Sequence, residues 1–299
     1  MKFHVQHAVR AFILLAFSVM LFKLHFTDEI TKFINPKYQG LSQSASVLFL
    51  ILFFIQITRI WSAKRHTHHY HCHHEDHNHD CSHDHGDSPF NSKKFMAYAI
   101  IIFPLVTGFL LPAKVLDASI VDKKGGMAIL SNQNKEKKEI NSVQEDLTIE
   151  HNRITDPKII SEKEFEQFKR TLEQSSTIKM NDDVYSIFYG EISTDPEKFK
   201  GREIELKGFV YKEDEFNQDQ LVISRFSITH CVADAGIIGF LSEFKEAASI
   251  EENTWIKAKG TLDISTFNGT ELPIIKITKW KKIKQPKQPY LYPIDVKVY

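Results

Sequence analysis

Between Arg65 and Asp87 the chain reads RHTHHYHCHHEDHNHDCSHDHGD, a stretch with ten of the 15 histidines and two of the three cysteines in 299 residues. Neutral imidazole and thiolate are ligands for zinc and its neighbours, and carboxylates add harder oxygen. The stretch offers His66, His68, His69, His71, Cys72, His73, His74, His77, His79, Cys81, His83 and His85, with Glu75, Asp76, Asp80, Asp84 and Asp87 between them. Steps of two and three residues allow many alternative four-ligand sets without a fixed fold. There is no C-x-x-C pair, and Cys72 and Cys81 are nine residues apart. The pattern therefore predicts a loose, multi-occupancy metal binder, for zinc first and for nickel, cobalt or copper after it. An inert connector of biased composition and a pH sensor are the competing readings.

A second constellation is SRFSITHCVADAG, with Arg225, His230, Cys231 and Asp234. Successive residues of a strand point to opposite faces, so His230 and Cys231 share an ion only where the strand bulges or ends. In the metal reading His230, Cys231 and Asp234 are ligands and Arg225 orients Asp234. In the plain reading Cys231 is a small buried hydrophobe, His230 lies on the surface and Asp234 caps a turn. As a thiol enzyme the pair is poor, since a nucleophile and its base must reach each other by hydrogen bond. No catalytic residue is assigned.

The elements that position these residues differ between the two halves. Spanning a bilayer takes about 20 mostly apolar residues. Leu41–Trp61 and Phe95–Leu116 meet that length, the latter with Pro104 and Gly108 inside it, which membrane helices tolerate. Ala11–Phe22 is shorter, but Arg10 and Lys23 can snorkel from a helix over about residues 8–28. A signal peptide also fits its basic start, yet no small-x-small cleavage site follows. Three spans at about 8–28, 41–61 and 95–116 are expected, making residues 1–116 the membrane region. Lys2, Arg10, Arg59, Lys64, Arg65, Lys93 and Lys94 place the N-terminus and the His-rich loop 62–94 in the cytoplasm. The rest of the chain is then extracytoplasmic, where Cys231 has no disulfide partner on its side.

Residues 117–299 carry 27 Lys/Arg against 31 Asp/Glu, a balance that does not favour nucleic acid. Residues 117–160 read as a polar tether or partly ordered arm. In SEKEFEQFKRTLEQ, Ser161 and Glu164 form a capping box and Phe165, Phe168 and Leu172 share a helical face. A second short helix ends before Pro196. REIELKGFVY and DQLVISRFSITHCV then read as strands, AGIIGFLSEFKEA as a short inserted helix, and TWIKAKGTLDI with ELPIIKITKW as a hairpin turning at Asn268-Gly269. The tail KQPKQPYLYP is expected to run extended over the surface. The fold class is thus a membrane-anchored α+β protein whose domain 161–299 is a small barrel of the oligonucleotide/oligosaccharide-binding (OB) type.

Several segments resemble the YcgQ-like family of bacterial permease subunits: FINPKY between the first spans, FKGREIELKGFVY, SRF…CVADAGIIGF, WIKAKGTL and PYLYP. The resemblance implies an accessory protein of a multispanning permease in metal-ion homeostasis, with no catalytic activity. In that family the position of His230 is typically cysteine. The histidine here keeps a metal-capable side chain and speaks against an obligatory vicinal disulfide. The expected partners are a multispanning permease, the lipid bilayer and a divalent metal, with no nucleic acid. The alternative is a membrane-anchored binding or scaffold protein whose barrel recognises a glycan or a protein.

Overall fold

The computed structural model describes residues 5–60, 92–111, 113–123, 159–267 and 269–297. The ligands between His66 and His85 lie outside the described residues. The chain forms two compact units, Met1–Ile30 with Gln39–Ala113, and Thr31–Tyr38 with Lys114–Tyr299.

The first unit contains helices α1 (Val5–Phe26), α2 (Gln39–Ile60) and α3 (Ser92–Leu110). Val5–Phe26 and Pro36–Ile60 are long and apolar enough to cross a membrane, whereas the apolar helix Phe95–Leu110 is shorter. At about 1.5 Å per residue it covers roughly 24 Å of a core about 30 Å thick. The span expected to reach Leu116 stops at Leu110 because Pro112 disfavours helical geometry at the residue before it. Helices α1 and α2 run antiparallel, joined by His7 with Gln56 (2.7 Å), the Ser18 hydroxyl to the Ser46 carbonyl (2.9 Å) and His25 with Ser42 (3.1 Å). Arg10 donates to the Tyr98 hydroxyl of α3 at 3.2 Å. Phe12, Leu48, Phe54 and Phe103 face outward, an apolar surface that is costly to expose to water.

The second unit begins with α4 (Ala118–Lys123), whose Ala118 and Val121 are fully buried. Strand β1 (Ile159–Ser161) leads into α5 (Glu162–Gln174), and the expected capping box is present. The Ser161 amide donates to Glu164 at 2.8 Å, and the Glu164 amide donates to the Ser161 hydroxyl at 3.3 Å. The Phe165, Phe168 and Leu172 face packs on the core. Strand β2 (Thr177–Lys179), α6 (Tyr185–Thr194) and α7 (Pro196–Phe199) follow.

The remaining strands are β3 (Glu203–Tyr211), β4 (Gln220–Ser227), β5 (Gly236–Glu243), β6 (Trp255–Phe267), β7 (Thr270–Lys282), β8 (Tyr290–Leu291) and β9 (Asp295–Lys297). Strands β3 to β8 build a seven-stranded mixed sheet with β2, in the order β2-β3-β6-β7-β5-β4-β8, with a further antiparallel pairing of β3 to β4, while β9 pairs in parallel with β1 in a separate two-stranded sheet. The pairings therefore run in a circuit through β3, β6, β7, β5 and back to β4. Gly208 of β3 and Gly239 of β5 flank the middle of β4. A Cβ at Gly208 would lie 2.5 Å from the Ser224 carbonyl oxygen, and one at Gly239 2.6 Å from that of Ile223. The β6–β7 turn falls at the expected place, with Phe267 opposite Thr270 and Gly269 at φ 75°.

Two expectations are corrected here. GIIGFLSE is strand β5, not a helix, buried on both faces between β4 and β7. A continuous apolar run carries no periodicity to separate the two, and Gly239 marks the close backbone approach of a strand. The tail lies over the surface only in its first half, where Lys284, Gln285, Lys287 and Gln288 are exposed. Tyr290 and Leu291 are buried and pair in parallel with Phe226 and Ser227, extending the sheet as β8.

Candidate functional site

Strand β4 ends at Ser227, and the chain turns outward. The Asn35 carboxamide, itself buried, donates to the carbonyls of Ile228 (3.2 Å) and Thr229 (2.9 Å). The Asn35 amide donates to the His230 carbonyl (2.9 Å), and the Val232 amide donates to the Phe33 carbonyl (2.9 Å). Cys231 forms an isolated antiparallel bridge with Ile34. The segment Thr31–Tyr38 is thereby laid along 228–232 like a short extra strand.

Asp234 closes this corner. Its carboxylate accepts the amides of His230 (2.8 Å) and Cys231 (3.2 Å), and the His230 ring nitrogen Nδ1 lies 2.8 Å from it. Burial alone would raise the Asp234 pKa. The His230 ring and the two amides outweigh that and hold it below the usual aspartate range. An ionised carboxylate only accepts, so Nδ1 carries the proton and, in the neutral ring, Nε2 keeps its lone pair. The Tyr38 ring stacks on the imidazole at 5.5 Å and 23°. A carboxylate bonded to one ring nitrogen while the other faces out is the arrangement that orients metal-ligating histidines.

Strand β4 ends before His230, but Cys231 stays extended (φ −148°, ψ 172°) and bridged to Ile34, so the tendency of neighbouring side chains to diverge persists here. Cys231 is half-buried rather than enclosed, and it is a free thiol. His230 is on the surface and Asp234 caps the turn, as the plain reading expects. Among the described residues no group of three or more His, Cys, Asp or Glu is arranged to hold a metal ion.

Arg225 does not orient Asp234. Its side chain is fully buried, with Nη1 2.6 Å from Asp182 Oδ1 and Nε donating to the Pro289 carbonyl at 3.1 Å. The guanidinium carbon lies 5.3 Å from the centroid of the Trp255 ring. Lys207 engages the other Asp182 oxygen at 2.9 Å. Burial alone would raise the Asp182 pKa, but these two cations bring it below the ordinary value. The physical reason is direction: Arg225 sits inside β4 and points into the fold, whereas Asp234 lies beyond the strand end.

Sequence reasoning missed Asn35, Tyr38 and Asp182 as members of this neighbourhood. FINPKY was noticeable as a motif, but nothing local says that it pairs with residues nearly two hundred positions later.

A pair of apolar helices of spanning length and a mixed sheet domain characterise a membrane-associated protein with a second folded unit. Residues 9–127 match the DUF1980 N-terminal domain and residues 157–293 the DUF1980 C-terminal domain. The chain belongs to this DUF1980, YcgQ-like family of permease-associated proteins. It is 32% identical over 286 residues to UPF0703 protein YcgQ of Bacillus subtilis, covering 95% of this chain and 98% of that one. It is 25% identical over 292 residues to a Streptococcus mutans protein named "Putative two-component membrane permease complex subunit", again covering 95% and 98%.

Proposed function

We propose that this protein is the accessory subunit of a multispanning permease and handles a divalent transition metal, zinc before others. The name of the Streptococcus relative supports the permease partner. The observation that carries the metal reading is the His230 corner, where Asp234 fixes the ring through Nδ1 and the Cys231 thiol follows in the chain. In this scheme His230 and Cys231 supply two donors, and a partner or small ligand supplies the rest. Residues 66–85 form a second, cytoplasmic store of ligands. The Lys/Arg distribution puts the N-terminus and that store inside the cell and the C-terminal domain outside, with Phe95–Leu110 as a short third span. The circuit of five strands supports an OB-like barrel for the domain. No reaction step is assigned to any residue.

The test is metal content of the detergent-purified full chain by mass spectrometry. Deleting 66–85 is expected to remove several equivalents of zinc, and His230→Ala with Cys231→Ser one more. If neither change lowers the metal bound, the metal reading is wrong. If only the deletion does, the outer domain is a docking module alone.

A further inference from the structure

The second unit contains a cavity of about 480 Å³, within the usual range for small-molecule sites, about 300–1,000 Å³. Four pieces of chain wall it: Asn35–Tyr38, Asp182–Asp183 ahead of α6, Thr229–His230, and the tail at Gln288 and Tyr290–Ile294. We propose that this cavity binds a neutral polyhydroxylated ligand, a mono- or disaccharide unit, through the Tyr38 and Tyr292 rings and the polar groups of Asp183, Gln288 and His230.

Charge argues for neutrality. Asp182 and Asp183 share the wall with Lys37, and all three already have partners, Asp182 with Arg225 and Lys207. A phosphate would meet two carboxylates. An ammonium would meet Lys37, with two further cations behind Asp182. What the wall offers instead is a mixture of acceptors and donors on several sides: carboxylates, a carboxamide, the Thr229 hydroxyl and an imidazole. Adjacent ring hydroxyls, each both donor and acceptor, match such a mixture. The aromatic planes supply the other half, since the C–H face of a pyranose packs against a ring. Tyr38 is already stacked on His230, and the Tyr292 hydroxyl is tied to Gln288 (2.7 Å) and to the Thr31 carbonyl (3.3 Å).

The walls are held before any ligand arrives. Asn35 is 7% exposed and bonded to two carbonyls, and Asp182 is clamped by a guanidinium that is fully buried. Groups fixed in advance lose little freedom on binding. This inference does not rest on the metal reading, although the two share His230.

The experiment uses the full chain in a zwitterionic alkyl detergent, because a maltoside detergent would itself compete. Maltose, cellobiose and N,N′-diacetylchitobiose are titrated by calorimetry and by saturation-transfer NMR, with choline and inorganic phosphate as charged controls. At least one disaccharide is expected to bind saturably. Tyr38→Ala, and separately Asp183→Ala with Gln288→Ala, should weaken it about tenfold, a loss of about 1.4 kcal/mol, with the melting temperature unchanged. Tyr38→Phe should keep most of the binding, and so should Cys231→Ser, which separates this site from the metal corner. Saturable binding of none of the three sugars overturns the proposal. So does binding that survives both variants, or binding of choline or phosphate alone.

Discussion

Two carboxylate pairs, whose basic members Arg225 and His230 are five residues apart, behave oppositely. Arg225 and Asp182 meet where the arginine is fully buried, under Trp255 and against the Pro289 carbonyl. His230 and Asp234 meet where the histidine side chain is 64% exposed. Both are short contacts of 2.6 and 2.8 Å, so distance does not distinguish them. Solvent does. A pair with a dry partner is costly to break, because the charge left behind cannot rehydrate fully. An exposed pair is screened and contributes little to stability, and its imidazole stays open to solvent. The end of β4 at Ser227 separates the two regimes: the inner pair holds the fold and the outer pair leaves its imidazole exposed.

The strongest way to break this comparison is Arg225→Ala. It should cost on the order of 3 kcal/mol, the low end for breaking a buried pair, because Asp182 is partly solvated and keeps Lys207. Thermal unfolding of the full chain measures it, and a loss under about 0.5 kcal/mol, the usual surface value, would show the pair to be no anchor. Acid is a milder probe. Asp182 and Asp234 both titrate below their ordinary value in the fold. Each therefore contributes stability that is present above the unfolded aspartate pKa of about 4 and lost as pH falls through the lower folded value. Arg225→Ala removes a large part of what lowers Asp182, so its acid loss should be shallower than that of the parent chain. Equal slopes would contradict the assignment. The smallest expected effect sharpens the contrast: His230→Ala should change stability by no more than about 0.5 kcal/mol, while lowering the metal bound to the outer domain. A large drop in melting temperature would move His230 from the exposed class to the structural one.

Much of the fold was readable where the signal is local. The Ser161–Glu164 box and the Asn268-Gly269 turn each depend on residues within four positions, and both fell where expected. Length and apolar character alone placed spans at about 8–28 and 41–61, close to the helices over 5–26 and 39–60. Strand β5 was misread because six buried residues in a row have no alternation to detect. Of the site, residue types and spacing picked out His230, Cys231 and Asp234, and even the turn cap. They gave Arg225 the wrong partner, since Asp182 comes 43 positions earlier and enters only through tertiary packing. Asn35 and Tyr38 were illegible for the same reason.

The Asn35 clamp also orders events in time. Its carboxamide binds a carbonyl 194 residues further along the chain. At a synthesis rate of about 5–20 residues per second, roughly 10–40 seconds separate the emergence of Asn35 from that of Thr229. Through that interval the connector between α1 and α2 has been made while its partner strand has not. The His230 corner is therefore among the last parts of the molecule to assemble. A nascent chain stopped before residue 228 would carry the first two apolar helices joined by a connector with nothing to close upon.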